Sequence, residues 1–547
     1  MGSSRQTVRA PAALASAAVF LAGIVLPATA SPRPPSPPPV PTLDWQACGN
    51  DFPGVECAVA FVPLDYDRPL GARTGIALAR IPAADLTRRQ GSVFLNPGGP
   101  GGSGVDLVLF GFGDHLASLL EGRFDVVGFD PRGVMASEPL QCFETEESRA
   151  AFLAANPVFP YQRRQERPYF EAYRGLAGLC LGPRPRIAPH MSTADVARDL
   201  DLLRQAVGDA RLTYFGVSYG SYIGNTYANL FPNRIRALVI DGVLDPRLWS
   251  SGWQIASDRV NTAREFDEFL RLCDEAGADC ALSGPEGAAA RFDALADALK
   301  QEPLDLGDGL RYTYDFLVAD AASAMYVPEY WGGPDGFGAY FAFLADAARG
   351  DRAAAERAAE TRRALKEKLQ KASPTKATYN NGFDAFYGNH CADAEYPSSF
   401  VRFRAIGRWA ERGSMFGPYW WWSLAGCADW PTSADRYAGP WTARTSAPVL
   451  VVGNYFDGVT SYEGAVASSR LLKNSRLLSY AGWGHTAFGR SACVTEYVVN
   501  YLLDRTLPPQ GTVCPANPNP FLPASLLRAA APTAPMIGLP PAWLLRD

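Results

Sequence analysis

Metal-binding signatures are scarce in this sequence. It has four histidines in 547 residues, and none of its cysteines forms a C-x-x-C pair. Structural zinc sites draw most of their ligands from such pairs and from histidine. The composition therefore argues against a zinc site, and we expect no bound metal.

Blocks of like charge are also lacking. The formal net charge is −5, and acidic and basic residues are interspersed along the chain. A nucleic-acid or anionic-lipid partner would need a concentrated basic surface, so the sequence favours neither. Outside the N-terminus no stretch is apolar enough to span a membrane, and no internal repeat is apparent.

The N-terminus has the features of an export signal. Arg5 and Arg9 precede an apolar run at 12–26, and Ala28 and Ala30 give the small-x-small pattern that signal peptidase accepts. A membrane anchor is the alternative, but the run is shorter than the roughly 20 residues that cross a bilayer. We predict a signal peptide over residues 1–30 and a secreted protein, in the extracellular space or the cell envelope, without membrane attachment after cleavage.

Ten cysteines, an even number, accompany this export signal. In an exported chain such a count is typical of disulfide bonds. Neighbouring cysteines along the chain predict five local bridges: Cys48–Cys57, Cys142–Cys180, Cys273–Cys280, Cys391–Cys427 and Cys493–Cys514.

Short β-branched runs that end at Gly, Asp or Asn recur along the chain. Several are apolar at nearly every position, as expected for strands buried on both faces of a parallel sheet. Helical segments intervene, for instance 193–207, where Thr193 can act as the N-cap. The pattern predicts a mostly parallel, doubly wound α/β sheet, with strands at 92–95, 124–129, 212–217, 237–240, 449–452 and 476–479.

The alternation of strands and helices stops after Ile240 and resumes at Val449. The intervening sequence is rich in alanine and aromatic residues and too long for a loop, so it predicts a mainly helical lid domain. The predicted organisation is a signal peptide, a proline-rich linker, the first part of the core, the lid and the C-terminal part of the core, at residues 1–30, 31–42, 43–246, 247–446 and 447–547.

A G-x-S-x-G motif, Gly216 to Gly220, lies between a predicted strand and a predicted helix at 221–230. Most bare matches to this motif are ordinary turns. A nucleophile elbow requires this strand–turn–helix context, with glycines where the tight turn brings neighbours close. We therefore predict Ser218 as a catalytic nucleophile.

A serine nucleophile needs a general base, and histidine has a suitable pKa. His485 lies between glycines just beyond the last predicted strand. His115, His190 and His390 lie near the glycine loop, before a helix and within the lid, where a surface or structural role suits them better. His485 is the predicted base.

The third member must be a carboxylate that orients the imidazole. Asp457 follows the strand at 449–452, and the chain order Ser, Asp, His is that of α/β-hydrolases. Asp241 and Asp245 follow the preceding strand and remain alternatives. Asp457 is preferred because it follows the penultimate strand.

The negative oxygen formed during attack on a carbonyl needs hydrogen-bond donors placed in advance. The glycine-rich stretch at 96–102 follows a predicted strand and offers N–H groups unshielded by side chains. A phosphate-binding loop is the alternative, but the G-K-[ST] ending is missing. The predicted oxyanion hole is formed by the N–H groups of Gly99 and Tyr219.

These motifs together resemble the secreted tripeptidyl-aminopeptidase-like branch of the proline iminopeptidase group of α/β-hydrolases. The resemblance rests on six segments and a C-terminal cysteine region: NPGGPGGSG from Asn96, FDPRG from Phe129, GVSYGSYIG from Gly216, DGVLDP from Asp241, and the segments around Asp457, His485 and Cys493. It implies the α/β-hydrolase fold, the Ser218–Asp457–His485 triad, no cofactor, and removal of short peptides, tripeptides in this branch, from the N-terminus of peptide substrates.

Pro97 stands where the better-known iminopeptidases carry the histidine of an HGGPG motif. The tripeptidyl branch shares this substitution, which argues against strict proline specificity. Because the group also includes esterases, a carboxylesterase with the same triad is the alternative function. A non-catalytic binding protein would be expected to have lost a triad member, and none is lost.

An exopeptidase must recognise the charged amine at the end of its substrate, and a lid carboxylate can pair with it. The lid offers Glu329, Asp393 and Glu395, each of which could equally be an ordinary surface acid. The aromatic tract at 419–422 could line a substrate groove, but core packing is the favoured interpretation.

Overall fold

The computed structural model describes Gly2 and residues 37–523, apart from 183–185, 308 and 373–378. Nearly all of the predicted signal peptide and the first half of the predicted linker lie outside the described residues. The predicted boundaries at those two segments therefore stay predictions.

A ten-stranded sheet forms the centre of the described chain. In the strand numbering given next, its order is β1-β2-β3-β5-β4-β6-β7-β10-β11-β12. The first three pairings, β1 with β2, β2 with β3 and β3 with β5, are antiparallel, and the other six are parallel. The strands are β1 Gln46–Ala47, β2 Glu56–Pro63, β3 Arg73–Ile81, β4 Ser92–Asn96, β5 Asp125–Phe129, β6 Leu212–Val217, β7 Ile235–Asp241, β10 Val449–Phe456, β11 Ser475–Trp483 and β12 Val513–Cys514; β8 Leu304–Asp305 and β9 Arg311–Tyr312 form a separate hairpin.

All six strands predicted from the sequence are present, as β4, β5, β6, β7, β10 and β11. Every residue of β4, β5 and β6 is buried, which explains their continuous apolar runs. The antiparallel strands β2 and β3 were not predicted. In β2 buried and exposed residues alternate, as in a strand with one solvated face.

Helices cover both faces of this sheet. Ser192, rather than the predicted Thr193, is the N-cap of α6, because its side chain accepts the N–H of Asp195. The helices outside the lid are α1 Gly104–Leu109, α2 Phe112–Leu119, α3 Glu146–Ala154, α4 Arg163–Arg174, α5 Leu176–Leu181, α6 Thr193–Ala206, α7 Tyr219–Leu230, α17 Tyr462–Leu471 and α18 Ala492–Asp504.

The insertion between β7 and β10 is mainly helical, as predicted. Its core is aromatic, with Phe266, Phe269, Trp331 and Trp421 fully or almost fully buried. Its helices are α8 Pro246–Ser250, α9 Ile255–Ala276, α10 Ala288–Gln301, α11 Tyr314–Ala324, α12 Phe337–Ala348, α13 Arg352–Ala372, α14 Gly382–Asp393, α15 Phe400–Ala410 and α16 Phe416–Trp422. We call residues 247–446 the lid.

All ten cysteines are paired in the five bridges predicted: Cys48–Cys57, Cys142–Cys180, Cys273–Cys280, Cys391–Cys427 and Cys493–Cys514. Within the described part of the chain, none of the helices combines the length and apolar character that a membrane crossing requires.

Candidate active site

Ser218 occupies the sharp turn between β6 and α7. Its backbone has φ 57° and ψ −125°, in the positive-φ region that non-glycine residues rarely adopt. A Cβ atom on Gly216 would lie 2.6 Å from the carbonyl oxygen of Gly220, and one on Gly220 would lie 2.8 Å from that of Asn96. Both glycines are therefore required by space, and the turn has the strained geometry of a nucleophile elbow.

The glycine-rich loop after β4 lies directly against this turn. A Cβ atom on Gly98 would lie 2.7 Å from the Cβ of Ser218 and 2.9 Å from the backbone nitrogen of Tyr219. Gly99 follows with φ 108°, a conformation that favours glycine. Tyr219 is the first residue of α7, so its N–H has no acceptor within the helix. The two segments predicted to supply the oxyanion hole thus meet beside Ser218.

Asp130 supports the glycine-rich loop from the end of β5. Its carboxylate accepts the Ser103 hydroxyl at 2.6 Å and the N–H groups of Val105 and Ala136, both at 3.1 Å. Burial raises the pKa of Asp130 to about 7, although these hydrogen bonds oppose the rise. The FDPRG segment that contains Asp130 therefore has a structural role in the site.

Asp457 and His485 meet at the same edge of the sheet. Asp457 directly follows β10, and His485 lies two residues beyond β11. The Nδ1 atom of His485 lies 3.0 Å from Oδ2 of Asp457 and 3.1 Å from Oδ1. Asp457 also accepts the N–H groups of Val459 and Thr460 and the Thr460 hydroxyl.

These contacts favour an ionised Asp457. Burial alone would raise the pKa of this carboxyl, but the charge of His485, its hydrogen bond and the backbone donors hold the pKa below its ordinary value. His485 is fully buried, and its Nε2 has no hydrogen-bond partner among the residues that the structure describes. Asp457 thus fixes Nδ1 as the protonated nitrogen and leaves Nε2 free to accept a proton.

The two rival aspartates have other partners. Asp241 accepts the N–H groups of Ala487 and Phe488, and burial raises its pKa to about 6. Asp245 caps α8 and pairs with Arg247 at 2.7 Å. Asp241 therefore shapes the loop that follows His485, and neither rival makes a hydrogen bond to its ring.

This geometry can perform nucleophilic chemistry on a carbonyl. Ser218 and His485 follow β6 and β11, and the glycine loop follows β4, so the groups converge at the carboxyl edge where ligands bind in open α/β sheets. A base, its orienting carboxylate and an elbow serine are the components of an acyl-transfer site.

Sequence comparison places this chain in a known family. Residues 91–279 match the family described as alpha/beta hydrolase fold, and residues 413–514 match the one described as TAP-like protein. The chain is 30% identical to the serine protease Hip1 of Mycobacterium tuberculosis, over 92% of this chain and 96% of the relative. It is also 30% identical to the tripeptidyl aminopeptidase of Streptomyces lividans, over 87% of each chain. The chain belongs to the tripeptidyl-aminopeptidase-like family of α/β-hydrolases.

This tripeptidyl-aminopeptidase-like hydrolase also resembles relatives with other names. It is 30% identical to carboxylesterase B of M. tuberculosis, over 91% of this chain and 95% of the relative. Among solved structures, the proline iminopeptidase of Mycobacterium smegmatis aligns over 82% of this chain and 93% of its own, with 12% identity and a TM-score of 0.29. The protein is an enzyme, a serine hydrolase.

The three lid acids predicted to bind a substrate amine all have partners within this hydrolase. Glu329 forms an ion pair with the buried Arg490. Asp393 is buried and accepts the N–H and hydroxyl of Thr193 and the indole N–H of Trp249. Burial raises the pKa of Asp393 to about 7, against these hydrogen bonds.

The third acid, Glu395, pairs with Arg436 at 3.0 Å, and its side chain is 75% exposed. The aromatic tract at 419–422 is mostly packed in the lid core, as favoured from the sequence: Tyr419, Trp421 and Trp422 are buried. Trp420 is partly buried and donates its indole N–H to Thr262 at 2.8 Å.

Sequence reasoning missed the helix that closes the site, α9. Its residues Asn261, Thr262 and Glu265 all bind the backbone beside the catalytic loops: Asn261 donates to the Asp457 carbonyl, Thr262 donates to that of Gly458, and Glu265 accepts N–H groups from both loops. These residues recur at helical spacing beside the buried apolar residues of α9, so polar residues next to the apolar face of this amphipathic helix were the available signal.

Arg490 is the other missed residue. Its guanidinium donates to the carbonyls of His485 and Thr486 and to that of Tyr326 in the lid. The ring of Tyr326 packs edge-on against His485 with centroids 5.2 Å apart. The lid and the histidine loop are therefore held together by a buried cation and a buried ring.

Proposed function

We propose that this enzyme is a secreted serine exopeptidase that releases short peptides, tripeptides in the first instance, from the N-terminus of peptide substrates. Ser218 Oγ attacks the scissile carbonyl while His485 Nε2 accepts its proton. The N–H groups of Gly99 and Tyr219 stabilise the negative oxygen, and Asp457 stabilises the imidazolium. His485 then protonates the leaving amine, and water hydrolyses the acyl-enzyme by the reverse roles.

The relatives support the peptidase class, since two of those compared are named as a serine protease and a tripeptidyl aminopeptidase. A carboxylesterase with the same residues is the second candidate, because a relative of equal identity carries that name. Both chemistries pass through an acyl-enzyme, so the triad alone does not separate them.

The observation that favours an exopeptidase is the state of Asp258 in α9. This lid carboxylate is only partly exposed, and burial raises its pKa to about 8. Its one side-chain hydrogen bond, at 2.7 Å, is with the neutral amide of Gln254, and no cation pairs with it among the described residues. A half-buried carboxylate of this kind is suited to bind a cationic group supplied by the substrate.

The position of Asp258 fits this role. It precedes Asn261, which contacts the Asp457 carbonyl, by about one helical turn, or roughly 5 Å along the axis. Side chains on a helix tilt toward its N-terminus, so the carboxylate extends further from the triad. A tripeptide bound between Ser218 and Asp258 would require these two side chains to lie roughly 10 Å apart, because three extended residues span that distance.

Aromatic rings accompany the carboxylate. The Asp258 charge is among the causes, after burial, that raise the pKa values of Tyr326 and Tyr396, so both phenol groups lie within electrostatic range of it. Rings beside a carboxylate favour an ammonium group, because a cation is attracted to the ring face as well as to the anion. Glu329 and Glu395 already pair with arginines, and Asp393 is 1% exposed and accepts three hydrogen bonds, so Asp258 is the better acceptor for the substrate amine.

The test compares a tripeptide anilide that has a free amine with its N-acetylated form, in the wild type and in Asp258→Asn. We expect acetylation to reduce kcat/KM of the wild type by at least about 100-fold, a value typical of losing a charged hydrogen bond. Asp258→Asn should lose most of that discrimination. The matched control is Asp267→Asn, an exposed acid on the same helix.

Equal rates on the free and acetylated anilides, with faster turnover of simple esters, would assign the enzyme to the carboxylesterases. If Asp258→Asn keeps the preference for a free amine, the exopeptidase proposal stands, but Asp258 is not the residue that binds the amine.

Export is the remaining part of the proposal. The five disulfide bonds support an oxidising compartment, where such bonds persist. N-terminal sequencing of protein recovered from the culture medium and the cell envelope should start at Ser31. Retention of residues 1–30 on the mature enzyme would contradict a cleaved signal peptide.

A further inference from the structure

Glu265 is a buried acid that joins the two loops of the proposed acid–base pair. It lies on the lid helix α9 and is 1% exposed. Its Oε1 accepts the N–H of Gly484 at 2.7 Å, and its Oε2 accepts the N–H of Gly458. Gly484 directly precedes His485, and Gly458 directly follows Asp457. One carboxyl group thus holds the backbone on either side of the pair.

The fit around this carboxyl group is close. A Cβ atom on Gly458 would lie 2.5 Å from Oε2 of Glu265. Gly484 has φ 91°, and a Cβ there would lie 2.5 Å from the ring of Pro328. Both loops therefore carry glycine where the lid approaches the backbone, and side chains at these positions would force the carboxyl group or the lid away.

The charged groups near Glu265 are Asp457 and Arg490. Burial and the charge of Asp457 raise the pKa of Glu265 well above its usual range, against its two backbone donors and Arg490. Burying a carboxyl group costs folding free energy unless hydrogen bonds replace those that it made to water. Glu265 makes two such bonds, and each is to a residue adjacent to a member of the triad.

We propose that Glu265 is a positioning residue for the reaction: by accepting the N–H groups of Gly458 and Gly484 together, it sets the distance between Asp457 and His485 and makes that distance depend on the lid. This inference rests on the proposed triad and not on the choice of a peptide or an ester as substrate. A displacement of about 1 Å in such a pair can reduce a rate by about 100-fold.

The decisive variant is Glu265→Gln. Glutamine keeps the volume and one acceptor oxygen, but its amide nitrogen faces the second backbone N–H and cannot accept it. The matched control is Glu268→Gln, nearly one turn further along α9. Glu268 accepts the indole N–H of Trp483 at 3.1 Å and pairs with Arg271, so it contacts the same region without binding either glycine.

Three quantities would be measured: kcat and KM on a tripeptide anilide, kcat/KM on a small p-nitrophenyl ester, and the rate of inactivation by phenylmethylsulfonyl fluoride. The last two report the reactivity of Ser218 whatever the natural substrate is. If the wild type shows no preference for a free amine, the exopeptidase proposal fails, but these two measurements still test the role of Glu265.

For Glu265→Gln we expect kcat and the inactivation rate to fall by at least about 10-fold while KM changes by less than about threefold, as for a misplaced catalytic pair. Glu268→Gln should stay within about twofold of the wild type in all three, as expected for a residue outside the pair. Wild-type kcat and inactivation in Glu265→Gln, or equal losses in both variants, would overturn the proposal.

If Glu265→Gln shows no cooperative unfolding transition, and so is not properly folded, the variant Glu265→Asp tests the proposal in its place. Aspartate keeps two acceptor oxygens but is one methylene shorter, so it cannot reach both glycines from the same backbone. A fall in kcat of more than about threefold with unchanged KM is expected for partial misplacement. A wild-type kcat in this variant would count against a positioning role.

Discussion

The Cα of Gly98 directs its missing side chain at Ser218: a Cβ atom there would lie 2.7 Å from the Cβ of the serine. The same atom would lie 2.9 Å from the nitrogen of Tyr219, a proposed oxyanion donor. Gly98 has φ 89°, which also disfavours a side chain. The contact makes the elbow and the glycine loop a single unit.

Gly98→Ala should reduce kcat by about 100-fold or more, because the new methyl group separates the loop from Ser218 and displaces oxyanion donors of that worth. Steady-state kinetics on the anilide would measure this. The control is Gly111→Ala, since Gly111 also has positive φ but no atom within 4 Å of its Cβ position. Comparable losses in both variants would show that backbone strain, and not the contact with Ser218, is responsible.

Ser218→Ala should give a folded protein without hydrolytic activity, because the side chain contributes chemistry and little packing. Its Tm should be close to that of the wild type, because alanine keeps the Cβ atom and the positive φ of the elbow. Activity assays and a thermal melt would check both parts. Full turnover by this variant would refute the proposed triad.

Asp457→Asn should lower kcat by on the order of 10⁴-fold, because asparagine no longer fixes Nδ1 as the protonated nitrogen. Asp241→Asn should cost far less, since Asp241 binds only the backbone of the loop after His485. The measurement is kcat at neutral pH for the two variants. A greater loss for Asp241→Asn would exchange the roles assigned to the two acids.

Compared with the wild type, Asp258→Asn should be more stable at pH 8, and its advantage should be smaller at pH 4. The pKa of Asp258 is raised from 3.8 to about 8, so the folded state binds more protons than the unfolded state between these values and loses stability as pH rises. Removing the carboxyl removes that loss, worth at least ~1 kcal/mol at pH 8. Thermal melts at the two pH values would measure it, with Asp267→Asn as the control, because the pKa of this exposed acid is raised far less than that of Asp258. The quantity compared is the Tm of Asp258→Asn minus that of the wild type. If this difference is no larger at pH 8 than at pH 4, the raised pKa of Asp258 is contradicted.

The strands and the proposed triad could be predicted because their determinants are local in sequence. Ser218 lies between glycines at the end of an apolar run, and Asp457 and His485 follow the next such runs. Parallel strands bring their carboxyl ends to one edge, so local patterns suffice to assemble these residues. The alternating pattern of β2 was equally local and was overlooked.

The lid contributions could not be predicted in the same way. Asp258 and Glu265 lie in an ordinary amphipathic helix, and their importance depends on which helix face meets the catalytic loops. The sequence led instead to three other lid acids, of which Glu329, for example, is paired with Arg490. Only the packing of the lid on the sheet distinguishes an acid that pairs with a cation from one whose partner is neutral.

The clamp that Arg490 forms with Tyr326 and Glu329 bears on how such enzymes can be re-engineered. An exchange of lids between related hydrolases would alter the substrate range only if the core supplied a complete catalytic unit. Here Arg490 of the core would face a foreign lid and would lose both the Tyr326 carbonyl and the Glu329 carboxylate. A functional chimera of this fold must therefore take Arg490, Tyr326 and Glu329 from the same parent enzyme.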